Sequence, residues 1–467
     1  MDKQIRMGKF LIICLFVPLA IYLKTLLPTV GFWDTAEFQT IPYTFDIGHP
    51  TGYPTYIVIG KIFLSVFNFN SVAWRMNFLS ALFVSFGIYL FSLSLYRLTR
   101  KLSLSLVLAL LLSVNPHIWS VAVAADPHAL HFLFTSLFIF LGIKILNDKR
   151  NNLLPLASFV CGLSLGNHML SVFFLPSLLF LAVNTIKDGG SVKILFLSFL
   201  SFVLGGSIYF LLPILSVTKV SLLNINYSLA TIEGFKRHVF GEDFQGLMNT
   251  WAKGGPAVTL SFYFDLVKES FPYYLWIFIP AGFLATFLKF PRMAVFLALI
   301  FFPTLAFSMR YQNAVIERYF LTSFSIEAIW LAVFIDRITR KSAFHLVSVA
   351  VILFLSLTIF VNYKGEIDQS KNFYAYTWAS GVLNSTDKDG VVFSWWSYST
   401  PLWYLQKVEN VRSDVLIVNA NKHEWEGLAE SFVGKRPVYF IEEVSLSGPG
   451  LRLVKEGGLY RIVSTHF

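Results

Sequence analysis

Apolar residues recur along this chain in long runs separated by short polar connections. A helix needs about 20 such residues to cross a bilayer's hydrocarbon core. Runs that approach or reach that length lie near 10–30, 74–97, 103–121, 128–147, 153–169, 171–186, 193–216, 272–289, 293–308, 319–336 and 343–362. Each is read as a transmembrane helix, eleven in all. The stretch Phe10–Leu27 is too long for the core of a cleavable signal and reads as a signal anchor. Tyr53–Phe67 is apolar but short and carries Lys61. It predicts a helix lying at the interface or half inserted, after a turn set by Pro50, Gly52 and Pro54.

Beyond Tyr363 the pattern changes. Helical stretches at 372–383, 401–408 and 422–432 alternate with strand-like stretches at 390–395, 414–419 and 437–441. That alternation predicts a small α/β unit with a parallel sheet. It has no glycine-rich phosphate loop. The expected organisation is a transmembrane domain over 1–362, with outer loops at 31–73 and 217–271, and a soluble domain over 363–467.

Composition supports the membrane reading. Of 467 residues, 55% are hydrophobic and only 14% charged, against ~25% charged in soluble domains. The two cysteines, Cys14 and Cys161, lie inside apolar runs, which argues against a disulfide framework or a thiolate metal site. The net charge of +10 raises the question of an acidic partner. Its distribution answers it: Lys3/Arg6/Lys9, Arg97/Arg100/Lys101, Lys144/Lys149/Arg150, Lys187/Lys193, Lys289/Arg292 and Arg337/Arg340/Lys341 occupy short connections. With eleven spans and a cytosolic N-terminus, all fall on the cytosolic side. Nucleic acid is therefore not expected as a partner, and the tail lies outside the cytosol.

The remaining ionisable residues gather at the other end. Asp34 and Glu37, three apart, share a face if helical. A carboxylate at headgroup depth can take a proton from an acceptor hydroxyl or hold a divalent metal against a phosphate. Spacing alone leaves solvated loop acids as the plainer account. His49 can shuttle a proton or donate to a phosphate, or be a polar turn residue. Arg75 opens the second span, where it can clamp a lipid phosphate or snorkel as an interfacial anchor. Asp126, before Pro127 and His128, has the form of a helix cap and adds an acid at the same depth. Asn167 and His168 end the fifth span; Arg310 and Arg318 precede the tenth. Glu327, deeper in that span, needs a partner. Acids could serve an acceptor nucleophile and cations an anionic leaving group, the division that transfer from a lipid phosphate requires.

These residues carry a resemblance. The runs Gly31-Phe32-Trp33-Asp34-Thr35-Ala36-Glu37, Ile47-Gly48-His49-Pro50-Thr51-Gly52-Tyr53-Pro54 and Ala73-Trp74-Arg75-Met76-Asn77 are similar to a family of polytopic proteins. Its first loop carries Gly-Asp-Ser-Gly-Glu and His-Pro-Pro-Gly-Tyr-Pro patterns. The family includes bacterial proteins known only as a domain of unknown function and the eukaryotic endoplasmic-reticulum O-mannosyltransferase that acts on plexin-type receptor domains. It belongs with the GT-C glycosyltransferases. The resemblance continues at Gly162–His168, at Pro401–Gln406 and at Val411–Val415. Ala36 stands where the family has its second glycine, and Trp395-Trp396 where it has Gly-Asp.

The resemblance implies an all-α GT-C membrane fold with a small extracytosolic α/β domain. It implies an inverting glycosyltransferase moving a hexose such as mannose from a polyprenyl-phosphate donor to a hydroxyl on a protein or glycan. Asp34 is then the leading base, with Glu37 beside it, and His49, Arg75, Arg310 and Arg318 face the donor phosphate. Tyr53, Asn77, Asp126, His128, Asn167 and His168 complete the candidate site. The resemblance names no certain cofactor; a divalent cation on Asp34, Glu37 and Asp126 stays open. Expected partners are the lipid-linked donor, the acceptor and membrane lipid, in a prokaryotic plasma membrane or the endoplasmic reticulum. The competing class is a transporter or lipid flippase, and a third is a lipid-binding scaffold.

Overall fold

The computed structural model describes residues 10–218, 227–248, 260–339, 342–447 and 451–464. The chain begins with α1 (Ile13–Lys24), then α2 (Asp34–Thr44) and α3 (Pro54–Val66). At the centre stands α4 (Val72–Thr99), whose cap Ser71 accepts a hydrogen bond from the N–H of Trp74 (3.2 Å). It packs against α1, α5 (Leu102–Ser113), α6 (Pro116–Ala122) and α7 (Pro127–Asp148). Then come α8 (Leu154–Leu165), α9 (Leu175–Lys187), α10 (Val192–Gly206) and α11 (Leu211–Thr218). After α12 (Ile232–Val239) the bundle closes with α13 (Leu260–Ser270), α14 (Ile279–Lys289), α15 (Pro291–Ser308), α16 (Leu321–Ile338) and α17 (Ser342–Ile367).

Each of the eleven expected spans overlaps a helix, but four depart from a single straight one. The 10–30 run yields only the 12-residue α1. The 103–121 run bends by 68° between α5 and α6, where Asn115 caps α6 by accepting from the N–H groups of His117 and Ile118 (3.0 and 3.2 Å). Pro116 follows, and proline suits a first helical position because it has no N–H to satisfy. The 153–169 run is an apolar helix over Asn151–Leu165, and the 272–289 run is one arm of a pair bent by 107°. Seven described helices are long and apolar enough to cross a membrane, or nine if each bent pair is one span. The chain is an integral, multi-pass membrane protein.

One end of the bundle gathers the basic connections into ion pairs. Asp336 binds both Lys101 (3.2 Å) and Lys289 (2.8 Å), Arg292 binds Asp188 (2.8 Å), and Arg97 binds Asp148. Lys3, Arg6, Lys9, Arg340 and Lys341 lie outside the described residues. The candidate site lies at the opposite end.

The tail carries α18 (Tyr374–Asn384), β1 (Val391–Ser394), α19 (Trp396–Lys407), β2 (Leu416–Asn419), α20 (Trp425–Ala429) and β3 (Val438–Phe440). β2 and β3 flank β1 in parallel, as the alternation predicts. An antiparallel pair, β4 (Leu451–Glu456) and β5 (Leu459–Ser464), completes the order β2-β1-β3-β5-β4. Sequence reading missed it. Its signal is Gly457-Gly458, both at positive φ (55° and 89°), the conformation a two-residue hairpin turn demands.

This unit is sewn to the first loop. Thr400 donates its hydroxyl to the carbonyl of Trp33 (2.9 Å), and the Trp33 N–H donates to the carbonyl of Ser397 (3.3 Å). The hydroxyl of Tyr404, buried 331 positions away, accepts from the N–H of Ala73 (3.0 Å). α19 therefore lies directly on α2.

Candidate active site

Asp34 and Glu37 sit in the first turn of α2, as their spacing predicts. Negative charge is favoured there because the helix's first N–H groups are unsatisfied. Gln39 holds the loop entering α2: its carbonyl accepts from the N–H of Gly31 (3.1 Å), and its amide donates to Asn77 Oδ1 (2.8 Å).

Glu37 is 3% exposed and accepts twice from His49, from its backbone N–H (2.7 Å) and from Nδ1 (2.5 Å). Burial pushes the Glu37 carboxyl up, and the two bonds from His49 oppose it. Burial pushes the His49 imidazole down, but the Glu37 and Asp34 carboxylates outweigh it and raise it to about 9. His49 is therefore an imidazolium at neutral pH, hydrogen-bonded to Glu37. The far nitrogen of His49 meets the hydroxyl of Tyr53 (3.1 Å).

The turn carrying His49 depends on Gly52, at φ +90°. A Cβ there would lie 2.6 Å from Leu212 Cδ1, so only glycine fits. His238 of α12 also holds this turn, donating Nε2 to the carbonyl of Gly48 (3.0 Å) while Tyr227 bonds Nδ1 (2.9 Å).

Asp34 Oδ1 accepts from the indole N–H of Trp396 (2.8 Å). Among the described residues its other oxygen accepts no hydrogen bond. Asp34, Glu37 and His49 each offer one ligand atom within 4.8 Å of the others. As a cation site this trio is compromised, since both ring nitrogens of His49 already have partners.

Several expected residues surround this core. Asp126 caps α7 by accepting from the N–H of His128 (2.7 Å) and binds Arg318 (2.6 Å). Burial pushes the Asp126 carboxyl up and Arg318 opposes it. That engagement separates Asp126 from the cation set expected with Asp34 and Glu37; His49 takes its place. The rings of His128 and His168 lie 4.4 Å apart, tilted by 44°, and Tyr319 packs edge-on against both (4.9 and 5.6 Å). Asn167 donates to the carbonyl of Pro127 (3.0 Å). Arg310 is exposed, and its guanidinium has no partner among the described residues.

Two expected residues turn away. Arg75 is buried with its guanidinium on the carbonyls of Leu64 (3.2 Å), Phe67 (2.5 Å) and Ser71 (3.4 Å). It closes the C-terminal end of α3 and is not placed to clamp a phosphate. Asn77 is fully buried: Oδ1 accepts from Gln39 and from the Ala125 N–H (both 2.8 Å), and its amide donates to the carbonyl of Leu27 (2.8 Å). It ties two loops to α4. Glu327 finds its partner in the hydroxyl of Tyr263. The sequence reading missed Trp396, Tyr319 and His238. Only Trp396 carried a signal, standing where the resembling family has a polar residue.

Comparison with known proteins fits this geometry. Residues 34–189 match the family model described as protein O-mannosyl-transferase TMEM260 N-terminal domain. Over that segment, about a third of its length, the chain is similar to this family. A TMEM260 O-mannosyl-transferase of Dictyostelium discoideum is 25% identical over 89% of this chain and 58% of its own length. The one from Mus musculus is 23% identical over 87% and 62%. The chain thus spans about three fifths of these TMEM260 relatives. The crystal structure of ArnT from Cupriavidus metallidurans bound to undecaprenyl phosphate superposes with a TM-score of 0.62 at 11% identity, covering 98% of this chain and 97% of ArnT. Its apo form gives 0.62 at 11% over 97% of each chain. These matches establish the GT-C fold that the TMEM260 likeness implies.

Proposed function

We propose that the protein is an inverting glycosyltransferase that moves a hexose, mannose by the names of its relatives, from a polyprenyl-phosphate donor to a hydroxyl of an acceptor protein. The observation that carries this is Asp34, oriented through one oxygen by Trp396 and open at the other, beside the Glu37–His49 ion pair. ArnT, of the same fold, was crystallised with undecaprenyl phosphate, which supports a lipid-phosphate donor. The ion-paired basic end lies opposite, which supports an extracytosolic site.

In this reading the free oxygen of Asp34 takes the acceptor's proton as the acceptor oxygen attacks the anomeric carbon. The bond from that carbon to the phosphate oxygen breaks on the opposite side, inverting the configuration. The electron pair leaves on the phosphate, whose charge the imidazolium of His49 and the free guanidinium of Arg310 stabilise. Arg318 is engaged with Asp126 and acts by holding it. A cavity of about 340 Å³ beside the start of α2, lined by Phe32, Thr35, Ser120, Gln369 and Tyr374, would take the acceptor segment.

The test is transfer of labelled mannose from a synthetic polyprenyl phosphate to an acceptor protein, by purified full-length protein in lipid nanodiscs. Transfer by the native chain and none by Asp34→Asn is expected. Undiminished transfer by the variant overturns the reading.

A further inference from the structure

At the end of the bundle remote from Asp34, α9 and α15 line a groove of about 700 Å³. Its walls are apolar, with Leu179, Val183, Val295 and Leu299 among them. Its mouth carries Lys187, in the last turn of α9, and Arg292, in the first turn of α15. Arg292 spends one terminal nitrogen on both oxygens of Asp188 (2.8 Å each). Its other nitrogens, and the ammonium of Lys187, have no partner among the described residues. Leu179 and Val183 are largely exposed, so the groove opens sideways.

An apolar trough between membrane helices with two cations at its surface end complements one kind of ligand. We propose that this groove binds an anionic phospholipid of the surrounding bilayer. The acyl chains lie between α9 and α15, and the phosphate sits between Lys187 and Arg292. Cations at a bilayer surface attract acidic headgroups, and basic pockets between membrane helices are their usual seats. The apolar walls alone would accept any lipid, so the headgroup preference resides in the two cations. The site is independent of the transferase reading, since none of its residues approaches Asp34.

The test uses purified full-length protein, equilibrated with mixed phosphatidylglycerol and phosphatidylcholine micelles and examined by native mass spectrometry. The native chain is expected to retain phosphatidylglycerol preferentially. Lys187→Gln leaves the Arg292–Asp188 pair intact, so the fold is preserved, and should reduce that preference about fivefold. Val295→Trp fills the trough without changing charge and should reduce retention of both lipids. Equal retention of the two lipids by the native chain, or an unchanged preference in Lys187→Gln, overturns the proposal. Displacement of phosphatidylglycerol by equimolar polyprenyl phosphate overturns the phospholipid assignment.

Discussion

Trp396 donates its indole N–H to Asp34 across 362 positions of sequence, at 2.8 Å. The bond fixes one carboxylate oxygen and leaves the other without a hydrogen bond among the described residues. Replacing Trp396 with phenylalanine keeps the ring and removes the donor. A hydrogen bond to a charged group contributes ~1.5–3 kcal/mol. Turnover should fall roughly ten- to hundredfold. Turnover within about twofold of the native value would show that the indole only packs.

On the proposed reading Asp34 is the base, and removing it is a sharper change. A well-placed general base contributes ~10²–10⁴-fold, so Asp34→Asn should lose at least that in kcat. The amide can still accept from Trp396, and the melting temperature should hold within a few degrees. Thermal melts of both proteins in one detergent separate lost chemistry from lost folding.

The Glu37–His49 pair predicts an alkaline limit. His49 is raised from 6.5 to about 9 by its neighbouring carboxylates, after burial has worked against it. A raised imidazole stabilises the fold fully below its unfolded value and loses that contribution as pH climbs through about 9. The loss is at most about 3 kcal/mol, because each tenfold gain in proton affinity is worth about 1.4 kcal/mol. Between pH 7 and 10 the native protein should lose more thermal stability than His49→Gln, whose side chain does not titrate. Parallel curves would mean that the imidazole is neutral at pH 7.

Arg75 distinguishes a structural arginine from a phosphate clamp. Its three carbonyl partners close the end of α3. Arg75→Met should lower stability by ~2–3 kcal/mol and leave the KM for the donor lipid within about twofold of the native value. A KM raised tenfold in a fully folded variant would return Arg75 to the phosphate.

Much of this was legible in the sequence for identifiable reasons. Hydrophobic run length reports the spans because bilayer thickness fixes it. Asp34, Glu37 and His49 lie within sixteen positions of one another, so a short motif carries their association. Run length is silent on bends, so the breaks at Asn115 and in the 260–289 segment emerged only in three dimensions. Arg75 and Arg318 read alike as cations near one membrane face. What separates them is their partners, backbone carbonyls for one and Asp126 for the other, and spacing encodes neither. His238 and Trp396 reach the first loop from remote segments, a relation that periodicity cannot express.

Asn77 lends the molecule an unexpected vulnerability. Its single amide group links Leu27 in the loop before the acidic helix, Gln39 within that helix and Ala125 in the loop before α7. A genetic lesion at 77 would silence the protein with every reactive side chain still encoded. A mutational survey scored by output alone would then mistake a keystone for a reagent.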